Sequence, residues 1–152
     1  MKPTMNQWKE SILDRLAFGD VDRDTPGFGE KSVYREGLAD EDQLPRFENG
    51  IVKPYVSVWF GQRVAGNMGF QGITGVRQNS HMMYFMAVVN ATDGYMVDQA
   101  VDLTSDLLLG FRPMGQGELS EDGMKTIRRP ADMSGVRSRF SVSVGYSGAV
   151  DI

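Results

Sequence analysis

Trp8, Ile12 and Leu16 recur at intervals of four, with Leu13 beside them. That spacing lays one apolar stripe along a helix. Thr4 stands at the N-cap position and Gln7 follows three residues later. This is the spacing of a capping box, in which each side chain bonds the other residue's backbone N–H. Gly19 supplies a stop. The pattern predicts a helix over residues 5–18.

Residues 19–50 lack any sustained period. They carry nine acidic residues between Asp20 and Glu48, and both Pro26 and Pro45. So long a connection exceeds the usual loop in a compact domain. It reads as an extended arm that a partner orders, or as a disordered loop. Residues 51–60 are rich in β-branched and aromatic side chains and predict a strand. Pro54 has no N–H to give a ladder, so the early part belongs at an edge or outside it. Val56, Val58 and Phe60 share one face; Tyr55, Ser57 and Trp59 share the other. A Gly-rich hairpin region follows, with Val64, Met68, Phe70, Ile73 and Val76 as its apolar members.

Residues 81–90 are apolar on both faces, which predicts a strand that is central or covered on two sides. Met82, Met83 and Met86 read as core gap-fillers. Thr92 or Asp93 then caps a second helix whose stripe is Met96, Val97, Ala100, Leu103, Thr104, Leu107 and Leu108. Gly110 ends that helix and Pro113 keeps it ended. After a loop, Phe140, Val142, Val144 and Tyr146 alternate with Arg139, Ser141, Ser143 and Gly145. That alternation predicts a half-buried antiparallel strand over residues 139–146. The expected fold is α+β in one domain over residues 1–152: an antiparallel or mixed sheet of about four to five strands with two helices on one face, and the arm at 19–50.

Composition narrows the function. The chain has no cysteine and one histidine, His81. Thiol nucleophiles, disulfides and zinc sites built on Cys are thereby excluded, as is any relay needing two imidazoles. The net charge is −4, the wrong sign for gripping a DNA backbone. Arg128 and Arg129, followed by Arg137 and Arg139, are the nearest thing to a basic cluster and read as a solvated loop and strand face. Eighteen of the 152 residues are glycine, against a usual share of about 7%. They gather between Gly61 and Gly75 and between Gly110 and Gly123, where loops and hairpin tips are expected. The Gly-rich stretch lacks the order of a phosphate loop, so no nucleotide site is expected. No stretch is long and apolar enough for a membrane span, and the N-terminal residues lack the apolar region of a secretory signal.

Three candidate features remain. Asp98, Asp102 and Asp106 repeat every four residues and line one helix face. Such a row can bind a cation or do acid–base chemistry, but it is also a common solvated face, and it can repel nucleic acid. His81 opens a strand with no nucleophile motif to serve. The methionines read as core. No catalytic residue, cofactor or metal is therefore expected.

The order of segments is more specific. Pro54-Tyr55-Val56-Ser57-Val58-Trp59-Phe60 leads through the Gly-rich hairpin to the apolar strand at 81–90. That strand runs straight into a helix ending Leu107-Leu108-Leu109-Gly110-Phe111-Arg112-Pro113. Gly117-Glu118-Leu119, Arg129-Pro130 and the closing strand Arg139-Phe140-Ser141-Val142-Ser143-Val144 follow. This resembles the tail terminator proteins of long-tailed bacteriophages, particularly those of actinobacterial hosts, over residues 51–146. The resemblance implies a small virion subunit that closes into a hexameric ring. Such a ring caps the tail tube and joins it to the head-closure or neck proteins, and DNA passes through its lumen. On that reading Asp98, Asp102 and Asp106 are candidates for an acidic lumen face. Trp59, Arg63, Phe70, Arg112, Arg128 and Arg129 are candidate contacts between subunits or with partners. The arm at 19–50 is longer than the resemblance leads one to expect. Two other readings stand beside it: another neck component, such as a head-closure or adaptor protein, and a small metal-dependent enzyme or ligand-binding domain using the Asp row and His81.

Overall fold

Helix α1 spans Met5–Phe18, and both halves of the capping box form: the Thr4 hydroxyl accepts from the Gln7 N–H at 3.1 Å, and Gln7 Oε1 accepts from the Thr4 N–H at 2.8 Å. The structure, a computed structural model, describes residues 2–37, 43–65, 80–121, 127–130 and 140–151. Trp8, Ile12 and Leu16 are fully buried. Gly19 ends the helix at φ +82°, and a Cβ there would stand 2.2 Å from the Thr25 carbonyl oxygen, so only glycine fits. The chain then doubles back. Asp20 and Thr25 exchange two backbone hydrogen bonds, and the N–H groups of Phe28 and Gly29 donate to the Leu16 and Ala17 carbonyls. The last carbonyls of α1, which have no partner within the helix, are satisfied this way.

A 3-10 turn at Glu30–Ser32 leads into β1, Val33–Arg35. This short strand lies within the segment where no period was legible. Strand β2 spans Tyr55–Ala65 and β3 spans Ser80–Ala91. The strand expected at 51–60 therefore starts later and runs further. Pro54 cannot donate to a ladder, and Val52 instead forms an isolated bridge with Arg46. Phe60 pairs with Phe85 and Arg63 with Met83, so β2 carries one extra residue at a bulge. Gly61 sits at that bulge inside β2, not in a loop.

Helix α2 spans Gly94–Leu108 and is capped by Asp93, whose carboxylate accepts from the Met96 N–H at 2.8 Å. A second 3-10 turn, Pro113–Gly115, precedes β4 at Ser120–Glu121, β5 at Ile127–Pro130 and β6 at Phe140–Asp151. Strands β4 and β5 fall where a loop was expected. Both pair with β6, which extends five residues beyond the expected Tyr146. Arg128 and Arg129 thus belong to a paired strand.

The result is an α+β fold with a mixed sheet five strands wide, in the order β1-β2-β3-β6-β4, with β5 also on the β6 edge. Strand β1 runs parallel to β2, and the other pairings are antiparallel. Strand β3 is central. Register puts Val56, Val89 and Val142 side by side, then Val58, Ala87 and Val144, then Phe60, Phe85 and Tyr146. These rows form one apolar face, and both helices cover it. An aromatic cluster sits beneath α1: Trp8 meets Phe85 edge-on at 6.0 Å, and Phe85 stacks on Tyr146 at 5.5 Å.

Helix α2 has no basic residue in its own last turn. Arg15 of α1 supplies the charge from outside. Its Nε donates to the Leu107 carbonyl at 2.8 Å, its Nη2 pairs with Asp20 at 2.8 Å, and its guanidinium lies 4.6 Å from the Phe111 ring centre. One side chain therefore holds the end of α2, the turn after α1 and the loop after α2. A cation here also favours the negative end of the α2 dipole.

Two expectations follow. Arg15→Ala should lower unfolding free energy by about 2–4 kcal/mol, because it strands the buried Asp20 carboxylate and an α2 carbonyl. Denaturant titration of both single variants and the double variant checks this, with strong coupling between Arg15 and Asp20 expected. The second concerns pH. Burial, with Tyr34 beside it, pushes the Tyr55 hydroxyl up to about 12 from 10.0. Burial also raises Tyr146, against the opposing hydrogen bond from Ser105. Between the unfolded and folded values the native chain holds protons that the unfolded chain has lost. Stability should therefore be intact below about pH 10 and fall as pH rises towards about pH 12. Denaturation across that range should show a shallower fall for Tyr55→Phe.

Candidate functional site

The sheet has a second face, and among the described residues no helix covers it. Side chains alternate along a strand, so the residues between the buried rows point away from the helices. At one end of this outer face Tyr55, Asn90 and Ser141 are buried together. The β1 segment contributes there: the Tyr34 ring meets Tyr55 edge-on at 6.3 Å, and the Ser57 hydroxyl donates to the Gly37 carbonyl at 3.3 Å. Further along, Trp59 is 41% exposed and Tyr84 is 38% exposed, with Met86 and Val88 half-buried. Met82 is also half-buried, so of the three methionines read as core only Met83 is fully buried. The apolar character of both faces of β3 therefore has two sources. One face is core, and the other is an aromatic and methionine surface partly open to solvent.

Asp98, Asp102 and Asp106 are exposed along α2, on the side away from its buried residues Val97, Ala100, Thr104, Leu107 and Leu108. Among the described residues no group of three or more acidic or histidine side chains is placed to hold a metal ion. His81 is half-buried near the start of β3, opposite Val150, and its Nδ1 has no hydrogen-bond partner among the described residues. Arg112 is exposed, with its Nε donating to the Gln116 carbonyl at 3.0 Å. Arg63 lies in β2 opposite Met83, and Arg128 and Arg129 lie in β5 opposite Val142 and Ser141. Phe70 lies outside the described residues. The candidate contacts are thus not one cluster: Trp59 is on the open sheet face, Arg112 is beyond the end of α2, and Arg128 and Arg129 are at the β6 edge.

The sequence did not single out a groove of about 860 Å³ between α2 and residues 47–54. Phe28, Phe47, Ile51, Met96 and Leu103 supply its apolar walls. Phe47 is 43% exposed and Ile51 is 37% exposed. The Lys53 ammonium lies 5.5 Å from the Phe47 ring centre. Met96 and Leu103 had been assigned to the buried stripe of α2. They sit at its margin and are half-buried, because the chain that roofs this side leaves the groove open. Phe47 and Ile51, apolar residues flanking a Glu-Asn-Gly turn, were the available signal for it.

No protein-family model matches the chain, and no curated protein matches it. Among the described residues no helix is long and apolar enough to cross a membrane.

The two faces of the sheet make opposite predictions. Phe85→Ala should cost about 3–5 kcal/mol, since it opens a cavity beneath α1. Trp59→Ser, on the neighbouring strand but the other face, should cost under about 1 kcal/mol. Thermal melts of the two variants measure both.

Proposed function

We propose that this chain is a structural subunit of a bacteriophage tail, of the tail terminator kind. In this reading it closes into a hexameric ring at the end of the tail tube and joins the tube to the head-closure or neck proteins. It is a virion protein, assembled in the host cytoplasm, and it catalyses nothing. The observation that carries the reading is the one-sided sheet, built in the element order on which the resemblance rests. A hairpin of two long strands passes directly from β3 into α2, and β6 closes the sheet on the far side of β3. Both helices lie on one face and leave Trp59 and Tyr84 open on the other.

Ring closure suits such a subunit. Contacts between unlike patches propagate from copy to copy and close when the rotation per subunit allows it. The short strand β1 stands at one edge of the sheet, and β4 and β5 at the other. Strand edges are ready sites for pairing with a neighbouring chain. In the ring, the exposed row of Asp98, Asp102 and Asp106 is the candidate lumen wall. A negative bore lets DNA slide, because every phosphate held by a cation adds salt-dependent affinity and would retain it. A head-closure or adaptor role shares this architecture and differs in the ring that the subunit touches.

Light scattering on the purified protein, joined to electron microscopy, tests the proposal. The expected result is a hexameric mass and closed rings, either in solution or on added tail tubes. A strict monomer that never decorates tubes, and whose melting temperature rises with divalent cations, would point to the small-enzyme reading instead.

A further inference from the structure

Strand β2 is paired on its outer side over only part of its length. Strand β1 lies against three of its eleven residues, Val56, Ser57 and Val58, and no other described strand follows on that side. The Glu36 N–H donates to the Val58 carbonyl at 2.9 Å, so Val58 turns its backbone groups to the outer side. Along β3, Ala87, Phe85 and Met83 pair with Val58, Phe60 and Arg63. Alternate residues of a ladder face the same neighbour, so Phe60 and Arg63 also turn their N–H and C=O groups outward. An open edge of this kind is a template for another chain.

Where β1 stops, the edge is blocked. Glu36 takes a left-handed backbone, φ +49°, which is strained for any residue with a Cβ. The chain leaves the edge there, and Gly37 accepts from the Ser57 hydroxyl, which belongs to the open face of the sheet. The Glu36 carboxylate accepts from the Phe60 N–H at 3.2 Å. A side chain thus fills the rung that a backbone carbonyl of an added strand would take. Strand β2 bulges immediately beyond, between Phe60 and Arg63. Arg35 fixes the approach, bonding Glu10 and Asn6 of α1 at 2.9 Å each. A charged side chain at the edge and a bulge are both devices by which a sheet refuses an added strand, and here they stand side by side.

We infer that the β2 edge from Phe60 onward is a strand-pairing site for a second copy of this chain, and that Glu36 guards it in the free subunit. The opposite edge of the same sheet offers the strand. Strand β5 pairs with β6 through Ile127 and Arg129, opposite Ser143 and Ser141, and no described strand lies on its other side. By the same alternation, Arg128 turns its backbone groups to that free side. An incoming β5 must displace the Glu36 carboxylate from Phe60, which keeps free subunits apart. Two different edges join copies head to tail, the kind of contact that builds a ring or an open filament. The inference deepens the ring reading by naming a subunit contact, and it rests on that reading only for closure into a ring.

The test uses sedimentation velocity on the full chain, with melting temperatures to confirm folding. Glycine adopts the left-handed turn without strain, so Glu36→Gly removes the carboxylate and keeps the backbone path. It should associate at least about tenfold more tightly than the unaltered chain, the gain expected from freeing one backbone rung. Glu36→Gln keeps an oxygen that can accept from Phe60 and should behave like the unaltered chain. In the Glu36→Gly chain, Arg63→Pro or Arg128→Pro removes one outward N–H and should abolish the gain, whereas alanine at either position should keep it. Amide exchange gives a second reading: in Glu36→Gly the Phe60 N–H should be open when dilute and become protected as concentration rises. A Glu36→Gly chain that associates no better than the unaltered one, or Phe60 exchange that ignores concentration, would overturn the contact. So would a Glu36→Gln chain as sticky as the glycine variant, since charge and not the filled rung would then be the cause. A gain that survives Arg128→Pro rules out β5 as the incoming strand. If the contact fails and rings still form on tail tubes, the ring reading stands without it. If the contact holds but the chains grow only into open filaments, the contact stands and the ring reading fails.

Discussion

The apolar side chains of β2, β3 and β6 fall into register on one face of the sheet, and two helices are available to cover it. Everything else in the packing follows from keeping those helices side by side on that face. Trp8 reaches the centre of the sheet and meets Phe60 and Phe85, and Phe85 in turn stacks on Tyr146. Gly148 leaves room for Leu119, since a Cβ there would stand 2.8 Å from the Leu119 Cδ2 atom. Arg15 then ties the ends of the helices together through Leu107 and Asp20. An arginine suits this place because its planar fork serves a carbonyl, a carboxylate and a ring face at once.

Among the described residues the two helices leave the other face largely open. Both of these helices lie on the covered face. The β1 segment shields the end around Tyr55, and the rest presents Trp59, Tyr84 and Met86. On the helical side, the groove beside α2 is a further open apolar surface, while the Asp row keeps the exposed side of α2 polar. Surfaces of several kinds, on both sides of the sheet, suit a subunit that meets neighbours in more than one direction. This is the physical content of the proposed place in a tail.

Much of the fold was legible where a period repeats. The stripe of α1, its capping box, the stripe of α2 and the alternation of β6 each encode their element within a few residues, and β3 declared itself central by being apolar on both faces. What escaped was set by distant partners. Strand β1 is three residues long and exists because Val56, Ser57 and Val58 accept it as a neighbour. Strands β4 and β5 exist because β6 is long enough to pair with both. Nothing local to α1 marks Arg15, since its partners Asp20, Leu107 and Phe111 come together only on folding. The candidate site was less legible than the fold. Trp59, Arg112 and the Asp row could be named from the sequence and are exposed. The groove joins residues about fifty positions apart, and no local pattern marks it.

The central claim is that this one-sided domain works at the end of a tail tube and lets DNA pass through its ring. A density map of an assembled particle, with this chain fitted, tests it most directly. The account predicts a ring of this chain touching the last ring of the tube, with acidic side chains, Asp98, Asp102 and Asp106 foremost, along the bore. Density for the chain elsewhere in the particle, or a bore lined mainly by arginine and lysine, would contradict it.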